Sequence, residues 1–301
     1  MPTAHNRGDL AETSGSDAVQ SGPTALRLLV GAQLRRLREA SGISREDAGY
    51  AIRGSHSKIG RMEGGRTSFK PRDVADLLTL YGVAEEAERQ AVLALAAQAN
   101  APAWWQDLRD AVPDWFEAYL GLEQDAAVIR THEVQLVPGL LQTEDYARAV
   151  IARGQGGEAA ARQERRLEVR MRRQKILAPP APRKLWAVLD EAVLHRHVGS
   201  REIMRAQLEH LDRMAAASHI TVQVVPFTAG STIGGVGPVT ILRFAEAGLG
   251  DVVYLEQLAG AHYLTKDSEV LPYQQLMDEL GVCAEPASAT PAILRRAIDA
   301  L

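Results

Sequence analysis

A short stretch at residues 54–66, GSHSKIGRMEGGR, carries basic and hydroxyl side chains at helical spacing between glycines. If Ser55 caps a helix there, Ile59 and Met62 lie three residues apart and turn toward a core. The outward face then carries His56, Ser57, Gly60 and Arg61. Arginine can form two hydrogen bonds with guanine O6 and N7, and serine or histidine can bond base edges in the same groove. This face could therefore read the major groove of DNA.

Other residues in and near the stretch are better suited to the DNA backbone than to base edges. Gly60 offers no side chain to a base, but it lets the main chain approach the groove closely. Lys58 lies beside the outward face and is expected near a phosphate. Arg45 begins the preceding predicted helix, whose dipole also attracts phosphate. Ser55 and Arg66 complete the predicted DNA-binding set. The alternative is a helical bundle whose polar face is only solvated.

Five helices are predicted over residues 24–98, and they would hold this stretch in place. Apolar residues recur at helical spacing in the flanking helices. Two short helices lie between them, the first capped by Ser44 and the second by Ser55. Gly54 permits the tight turn that joins them, and the glycine pair 64–65 ends the second helix where a positive φ is required. Such a pair is typical of a helix-turn-helix, whose second helix enters the major groove by its N-terminal end.

The charge of the chain is divided unevenly. The 301 residues carry a net charge of −4. Residues 24–82 hold 11 Lys and Arg against 6 Asp and Glu, whereas the remainder holds 23 against 32. Salt screens charges beyond about 8–10 Å, so the local excess governs contact with phosphate. An excess of this size also arises by chance, and it therefore supports the motif without defining it.

The sequence does not indicate a membrane protein, a secreted protein or a disulfide-bonded protein. The longest apolar run, at residues 91–97, is far shorter than the roughly 20 residues of a membrane span. Residues 1–23 lack the apolar segment of a secretory signal, and their polar composition predicts a disordered tail. Cys283 is the single cysteine, which excludes an intramolecular disulfide. We expect a cytoplasmic, nucleoid-associated protein with no membrane partner and no cofactor.

The sequence of residues 25–83 resembles the Cro and phage-repressor family of XRE-type helix-turn-helix proteins. The pattern S-x-S-K-I-x-R-x-E-x-G within that range carries the resemblance. It implies that residues 55–62 form the recognition helix and that Glu63 has a structural role near the end of this helix. The chain departs from the family at Ala48 and Gly49, where Leu-Ala is common, and the supporting helix is therefore less apolar than usual.

The larger part of the chain, residues 101–285, is predicted to be an α+β domain with a largely antiparallel sheet. The predicted strands lie at residues 127–137, 184–190, 220–227, 237–244 and 252–258. Helical patterns separate the earlier strands, whereas the last three follow one another through loops, which favours an antiparallel meander. The predicted fold is multidomain, with an all-α five-helix DNA-binding domain at 24–83 and a connecting helix at 84–100. A C-terminal helix at 286–301 is expected to start with Thr290 as its cap and Pro291 at its first position.

Two segments of this larger domain resemble a domain of unknown function that follows such helix-turn-helix modules in actinobacterial regulators. They are WWQDLRDAVPDWFEAYLGLEQDAAVIRTHEVQLVPGLLQTEDYARAV at residues 104–150 and VVYLEQLAG at residues 252–260. The WhiJ-type developmental regulators are the best-known branch. The resemblance implies a transcription regulator whose second domain senses a signal or a protein partner, often a small protein encoded by a neighbouring gene. It implies no particular ligand.

The candidate ligand-pocket residues are Trp104, Trp105, Tyr254 and Glu256. The tryptophans belong to an aromatic segment that could line a pocket, mark a domain junction or fill a core. Glu256 lies among apolar neighbours on a predicted strand and needs a partner if it faces inward. The sequence contains no recognisable set of nucleophile, base and orienting group, so we expect no enzyme and assign no catalytic or metal-binding residue.

Two further segments allow more than one interpretation. The glycine-rich residues 230–237 could be a flexible hairpin loop, a mobile lid or a partner contact. The arginine-rich residues 162–175 could be a second DNA-contacting surface, a solvated helix face, or a partner for the acidic body of the same chain.

These observations predict a sequence-specific DNA-binding transcriptional regulator whose C-terminal domain dimerises and senses a small molecule or protein partner. A single small module contacts few base pairs, so a homodimer on double-stranded operator DNA is expected. The alternative is an antitoxin-like or scaffold protein that binds a small partner protein and uses DNA binding for autoregulation.

Overall fold

The computed structural model describes residues 23–154, 159–229, 237–245 and 249–301. The predicted tail, apart from Pro23, and the glycine-rich segment, apart from Gly237, lie outside the described residues. The described chain forms an N-terminal helical bundle and a C-terminal domain built on one sheet.

Residues 23–99 form five α-helices, as the sequence predicted. They are α1 (Pro23–Ala40), α2 (Arg45–Ala51), α3 (His56–Glu63), α4 (Pro71–Leu80) and α5 (Glu86–Ala99). Their apolar faces enclose one core, in which Val30, Leu34 and Leu77 are almost fully buried. The predicted connecting helix, α5, contributes Val92 and Ala96 to this core. Burial of these side chains fixes the bundle around the two short central helices.

The chain leaves α2 through a turn that the sequence located correctly but assigned to the wrong residue. Arg53, and not Gly54, takes the left-handed conformation, with φ 52°. The N–H of Arg53 donates to the carbonyl of Tyr50 at 3.0 Å, and that of Gly54 donates to the carbonyl of Gly49 at 2.8 Å. This pair of bonds is a Schellman motif, which satisfies the last carbonyls of the helix. The hydrogen bonds thus hold a non-glycine residue in an unfavourable region.

A short aromatic segment leads into the second domain. It contains a 3-10 turn at Gln106–Ala111 and the helix α6 (Asp114–Asp125). Pro113 precedes α6 as its N-cap. Trp105 and Leu120 pack together with neighbouring apolar side chains in a small cluster of their own.

The C-terminal domain contains a mixed sheet, which corrects the prediction of a largely antiparallel one. Its strands are β1 (Val128–Glu133), β2 (Lys184–Asp190), β3 (Ile220–Val225), β4 (Val239–Arg243), β5 (Val252–Gln257) and β6 (Gly260–Leu264). The strand order is β3-β2-β1-β4-β5-β6. The neighbours β1 and β2, and β2 and β3, are parallel, whereas the three other pairings are antiparallel.

The parallel half of the sheet follows from the helices between its strands. A chain that enters a parallel neighbour must cross over, usually through a helix. The crossovers contain α7 (Glu144–Gly154), α8 (Ala160–Arg173), α9 (Ala192–His195) and α10 (Arg201–Ala215). The predicted meander was wrong at its first step, because β4 pairs with β1 instead of β3. Only β4 and β5 of the three strands are neighbours.

Helices cover both faces of the sheet. The helix α11 (Asp267–Cys283) packs on one face through Met277 and Leu280, which are fully buried. The opposite face carries α10 and the C-terminal helix α12 (Thr290–Asp299). Thr290 is the first residue of α12 and not its cap, which is Ala289. The Thr290 hydroxyl instead donates to the carbonyl of Val222 on β3 at 2.6 Å. Pro291 is therefore the second residue of α12 and not the first, although it lies in the first turn.

The first helix belongs to both halves of the protein. Ala25 is fully buried in the main core of the C-terminal domain, whereas Leu26 and Val30 lie in the core of the bundle. Arg27 Nε donates to the carbonyl of Ala99 at the end of α5, at 2.8 Å.

The predicted domain boundaries stay predictions. Over the described ranges, every helix is too short or too polar to cross a membrane.

Candidate DNA-binding surface

The helix α3 presents a polar face outward and packs an apolar face inward. Ser55 is its N-cap, and the Ser55 hydroxyl accepts a hydrogen bond from the N–H of Lys58 at 3.2 Å. Ile59 and Met62 are each 1% exposed, which confirms the predicted packing side. The other side carries the exposed side chains of His56, Ser57 and Arg61, with the partly exposed Gly60. The structure therefore places these three side chains on the solvent-exposed face of α3, as the sequence predicted.

A glycine in α2 lets the two short helices approach closely. A Cβ atom on Gly49 would lie 2.9 Å from the carbonyl carbon of Ser55, which is closer than real Cβ contacts. Ala48 beside it is fully buried in the bundle core. The small Ala48–Gly49 pair, at which this chain departs from the family pattern, thus brings α2 against the start of α3. A larger residue at either position would push the helices apart.

A buried ion-pair network anchors the end of α3. Glu63 Oε1 accepts from Arg38 Nε on α1 at 2.5 Å, and Oε2 accepts from Arg45 Nε on α2 at 3.0 Å. The side chains of Glu63 and Arg38 are 3% and 9% exposed. The hydrogen bond with Glu63 raises the pKa of the Arg38 guanidinium. Glu63 therefore has the structural role that the resemblance implied, and sequence reasoning missed Arg38 because the pair lies 25 positions apart.

Two predicted phosphate contacts form ion pairs in the free protein. Lys58 Nζ lies 2.5 Å from Asp73 Oδ2 on α4, with 28% of the Lys58 side chain exposed. Arg45, which pairs with Glu63, keeps 45% of its side chain exposed. Each cation would have to share or exchange its carboxylate to meet a phosphate. Their roles in DNA binding stay predictions.

Further basic side chains are exposed in the segments that flank α3 and at the start of α4, and sequence reasoning missed most of them. Arg53 in the turn before α3 lines a shallow depression together with Lys70 and Arg72 at the start of α4. Arg66, which the sequence did propose, is exposed after α3. The detectable signal was Lys70-Pro71-Arg72, because proline at a first helical position places its basic neighbours at a helix N-terminus.

The four candidate pocket residues fall into two separate groups. Trp105 is 7% exposed within the small aromatic cluster, and Trp104 makes an edge-to-face contact with it at 5.4 Å. Tyr254 belongs to the main core, and the Tyr254 hydroxyl donates to Glu256 Oε2 at 3.0 Å. Phe116 packs against both groups. The tryptophans therefore act as core residues in this structure, and a shared pocket stays a prediction.

A partly buried carboxyl near Glu256 was missed by the sequence reasoning. Glu133 lies at the end of β1, at the carboxyl edge of the parallel strands. Burial and the negative charge of Glu256 raise the pKa of Glu133 to about 8, against the weaker opposing effect of the arginines on α8. A carboxyl that is protonated near neutral pH can donate as well as accept a hydrogen bond.

The arginine-rich helix α8 is largely engaged within the protein. Arg173 makes two hydrogen bonds to Glu123 on α6, at 2.8 and 2.7 Å, and both side chains are buried. Arg165 lies 2.6 Å from Asp110, and Arg172 lies 3.3 Å from Asp107. These pairs support the interpretation that the segment binds the acidic body of the same chain.

Residues 29–92 match the model of a helix-turn-helix domain. The match agrees with the two capped helices α2 and α3, which lie within this range. The protein thus contains a helix-turn-helix domain, a kind of domain that typically binds DNA, followed by an α/β domain. Residues 116–296 match the model of a domain of unknown function (DUF5753), and the chain belongs to that family. Comparison with curated proteins and with solved structures found no match.

Proposed function

We propose that this protein is an XRE-type transcriptional regulator that binds a specific operator sequence as a homodimer. The observation that carries the proposal is the exposed polar face of α3, held on a buried Ile59 and Met62. A helix that packs on one side and offers hydrogen-bond donors on the other has the form required for major-groove reading.

In this proposal each side chain on the outward face of α3 has a distinct role in DNA recognition. Arg61 bonds a guanine through two parallel hydrogen bonds, and His56 and Ser57 contact bases near the helix start. Gly60 has open space where a Cβ would lie, so it contributes close approach and no base contact. Specificity therefore depends mainly on Arg61 and the first turn of the helix.

The basic rim around α3 supplies contacts that do not depend on base sequence. Arg53 and Arg66 are exposed in the segments before and after α3, and Lys70 and Arg72 are exposed at the start of α4, where Arg72 lies 3.7 Å from Asp76. Each phosphate contact releases counterions, so binding should weaken steeply as the salt concentration rises. The negative charge of the rest of the chain would keep the C-terminal domain away from the phosphates.

The C-terminal domain is proposed to receive the signal, in a protein of the cytoplasmic, WhiJ-like actinobacterial kind. Glu133 and Glu256, with Tyr254, form the polar group to which we assign the binding of a small ligand. The helix α6 contacts both this group and α1. Tyr119 on α6 packs against Tyr254 with the ring centroids 4.1 Å apart, and Asp125 on α6 accepts from Ala25 on α1. A signal could therefore pass from this polar group through α6 and α1 to the DNA-binding module. This route needs no catalytic step, and we propose no enzymatic activity.

Selection of binding sites from random double-stranded DNA, with the full chain, tests the proposed function. We expect enrichment of one motif, arranged as two inverted half-sites about one helical turn apart, roughly 34 Å. Recovery of random sequences at all salt concentrations would contradict specific recognition.

Exposed apolar side chains favour a second candidate function, the binding of a small partner protein. Phe227 is 65% exposed and Val282 is 85% exposed, on the C-terminal domain. Large exposed apolar groups often belong to protein contacts. Native mass spectrometry of the tagged chain, purified from its own cells, separates the two functions. A small protein in fixed stoichiometry supports the antitoxin-like or scaffold role, and a homodimer mass alone contradicts it.

A further inference from the structure

The two edge strands of the sheet differ in how they are protected. On β3, the N–H of Glu285 donates to the carbonyl of Val224 at 2.8 Å. The Thr290 hydroxyl donates to the carbonyl of Val222 on the same strand. The segment that enters α12 thus covers this edge. On β6, the described part of the chain provides one neighbouring strand, β5, and no strand on the outer side. Within the described residues, the outer edge of β6 therefore has no strand partner for its backbone groups.

The sequence of β6 lacks the features that usually prevent pairing at an edge. Natural edge strands are protected by charged side chains, proline, bulges or a covering segment. The strand reads GAHYL, without a charged residue or proline. Its register with β5 runs without interruption from Gly260 to Leu264. Such an edge is open to pairing with a further strand.

We infer that β6 pairs antiparallel with β6 of a second copy of this chain, about a two-fold axis perpendicular to the sheet. The two sheets would then form one continuous sheet across the dimer. The inference deepens the proposed function by naming the surface through which the homodimer forms, and it rests on that proposal for its choice of partner.

The residues around β6 are complementary to themselves under this symmetry. Lys266 follows the strand, and Glu256 lies at the end of the neighbouring strand on the opposite side. Antiparallel pairing centred on His262 places Lys266 of one copy opposite Leu258 of the other, toward the end of β6 at which Glu256 lies, whereas parallel pairing would bring the two copies of Lys266 together. In the free chain Lys266 pairs with Glu269, at 3.1 Å. Leu258 is fully exposed in the turn before β6, and Leu271 is 53% exposed on α11 after it. Both could be buried in the interface.

The position of the DNA-binding module also favours β6 over the opposite edge. The Tyr263 hydroxyl on β6 donates to the carbonyl of Trp115 on α6 at 2.7 Å, and α1 packs on α6. Pairing through β6 therefore places α6, and with it the start of α1, nearer to the axis than pairing through β3 would. Pairing through β3 would add five strand spacings per copy, roughly 24 Å. Half-sites one turn apart, at about 34 Å, suit the nearer arrangement.

A charge-exchange experiment on the full-length chain tests this pairing. His262 is exposed at the centre of β6, so a charged side chain there faces the same charge in a two-fold dimer. We expect His262→Glu and His262→Lys each to raise the dimer dissociation constant by roughly tenfold or more, and an equimolar mixture to restore the dimer. Sedimentation equilibrium gives the dissociation constants. Thr221→Glu, on the exposed side of β3, is the matched control and should dimerise as the wild type does.

Three outcomes would overturn the inference. The wild-type chain could be monomeric at micromolar concentrations, both charged variants could dimerise as tightly as the wild type, or their mixture could fail to recover the dimer. Circular dichroism of each variant verifies that it is folded. A monomeric wild type would also contradict the proposed homodimer, whereas the two outcomes with the variants would contradict only the surface. None of the three concerns base recognition, which is measured separately on DNA.

Discussion

The backbone N–H of Ala25 donates to Asp125 Oδ2 at 2.7 Å, across 100 positions of sequence. This bond joins the first turn of α1 to the last residue of α6. Because α1 also contributes Leu26 and Val30 to the bundle core, the DNA-binding module is attached to the C-terminal domain by a helix that both share. A movement of α6 should therefore move the recognition helix with it.

Gly121 on α6 tests this attachment. A Cβ at Gly121 would lie 1.9 Å from Thr24 Oγ1 and 2.7 Å from Thr24 Cβ, and the latter cannot rotate away. We expect Gly121→Ala to destabilise the contact by about 1–3 kcal/mol and to separate the unfolding of the two halves. Differential scanning calorimetry should then show two transitions in place of one. Gly154→Ala, at a helix end with open space, is the control, and equal scans for both variants would contradict the attachment.

The buried network at the end of α3 predicts a stability effect. Removal of Glu63 leaves the Arg38 guanidinium buried without its carboxylate. We expect Glu63→Ala to lower the free energy of unfolding of the DNA-binding module by about 3 kcal/mol, measured by urea denaturation. Asp76→Ala removes a half-exposed partner of Arg72 on α4, away from Arg38, and should cost much less. Similar losses for the two variants would show that the network is not important for the module.

The ion pair between Lys58 and Asp73 predicts an increase in DNA affinity. Asp73→Asn removes the charge that holds Lys58 and leaves the shape of the side chain unchanged. We expect tighter binding to specific and random DNA alike, by about 1 kcal/mol, because Lys58 is then free for a phosphate. Fluorescence anisotropy at several salt concentrations measures this. Unchanged affinity on both DNAs, with the fold intact, would argue against a phosphate contact by Lys58.

The raised pKa of Glu133 predicts a pH dependence of stability. The pKa rises from its ordinary value of 4.5 to about 8 through burial and the charge of Glu256. The folded state therefore holds a proton that the unfolded state releases between these values, so this group's contribution to stability falls as the pH rises from about 5 to 8. Glu133→Gln should flatten the decrease in melting temperature over that interval. Glu279→Gln, at an exposed position, should leave the decrease as in the wild type.

Local signals predicted the recognition element well. Ser44 and Ser55 identified the starts of α2 and α3, because a capping hydroxyl and the helix it caps are adjacent in sequence. The spacing of Ile59 and Met62 identified the packing side for the same reason. The sequence also predicted a positive φ at the glycine pair that ends α3, and Gly65 has a φ of 65°.

Features that depend on distant residues were not predicted. The sequence located β4 as a strand, but its pairing with β1 joins residues more than 100 positions apart, such as Thr131 and Thr240. The strand β6 was missed because GAHYL lacks a clear alternation of apolar and polar residues. Thr290 was assigned as a cap because its type fits one, and only the fold shows that it bonds β3.

The base-reading role of Arg61 is the central claim, and one comparison tests it most directly. Full-length wild type, Arg61→Ala and Arg36→Ala are measured by anisotropy on the selected site and on a shuffled sequence. Arg36 is exposed on α1 and controls for the loss of one positive charge. We predict that Arg61→Ala loses about 1–3 kcal/mol on the selected site, with little change on the shuffled one, and relaxes preference at one base pair. Equal loss on both sequences, or a loss no larger than that of Arg36→Ala, would contradict sequence reading by α3.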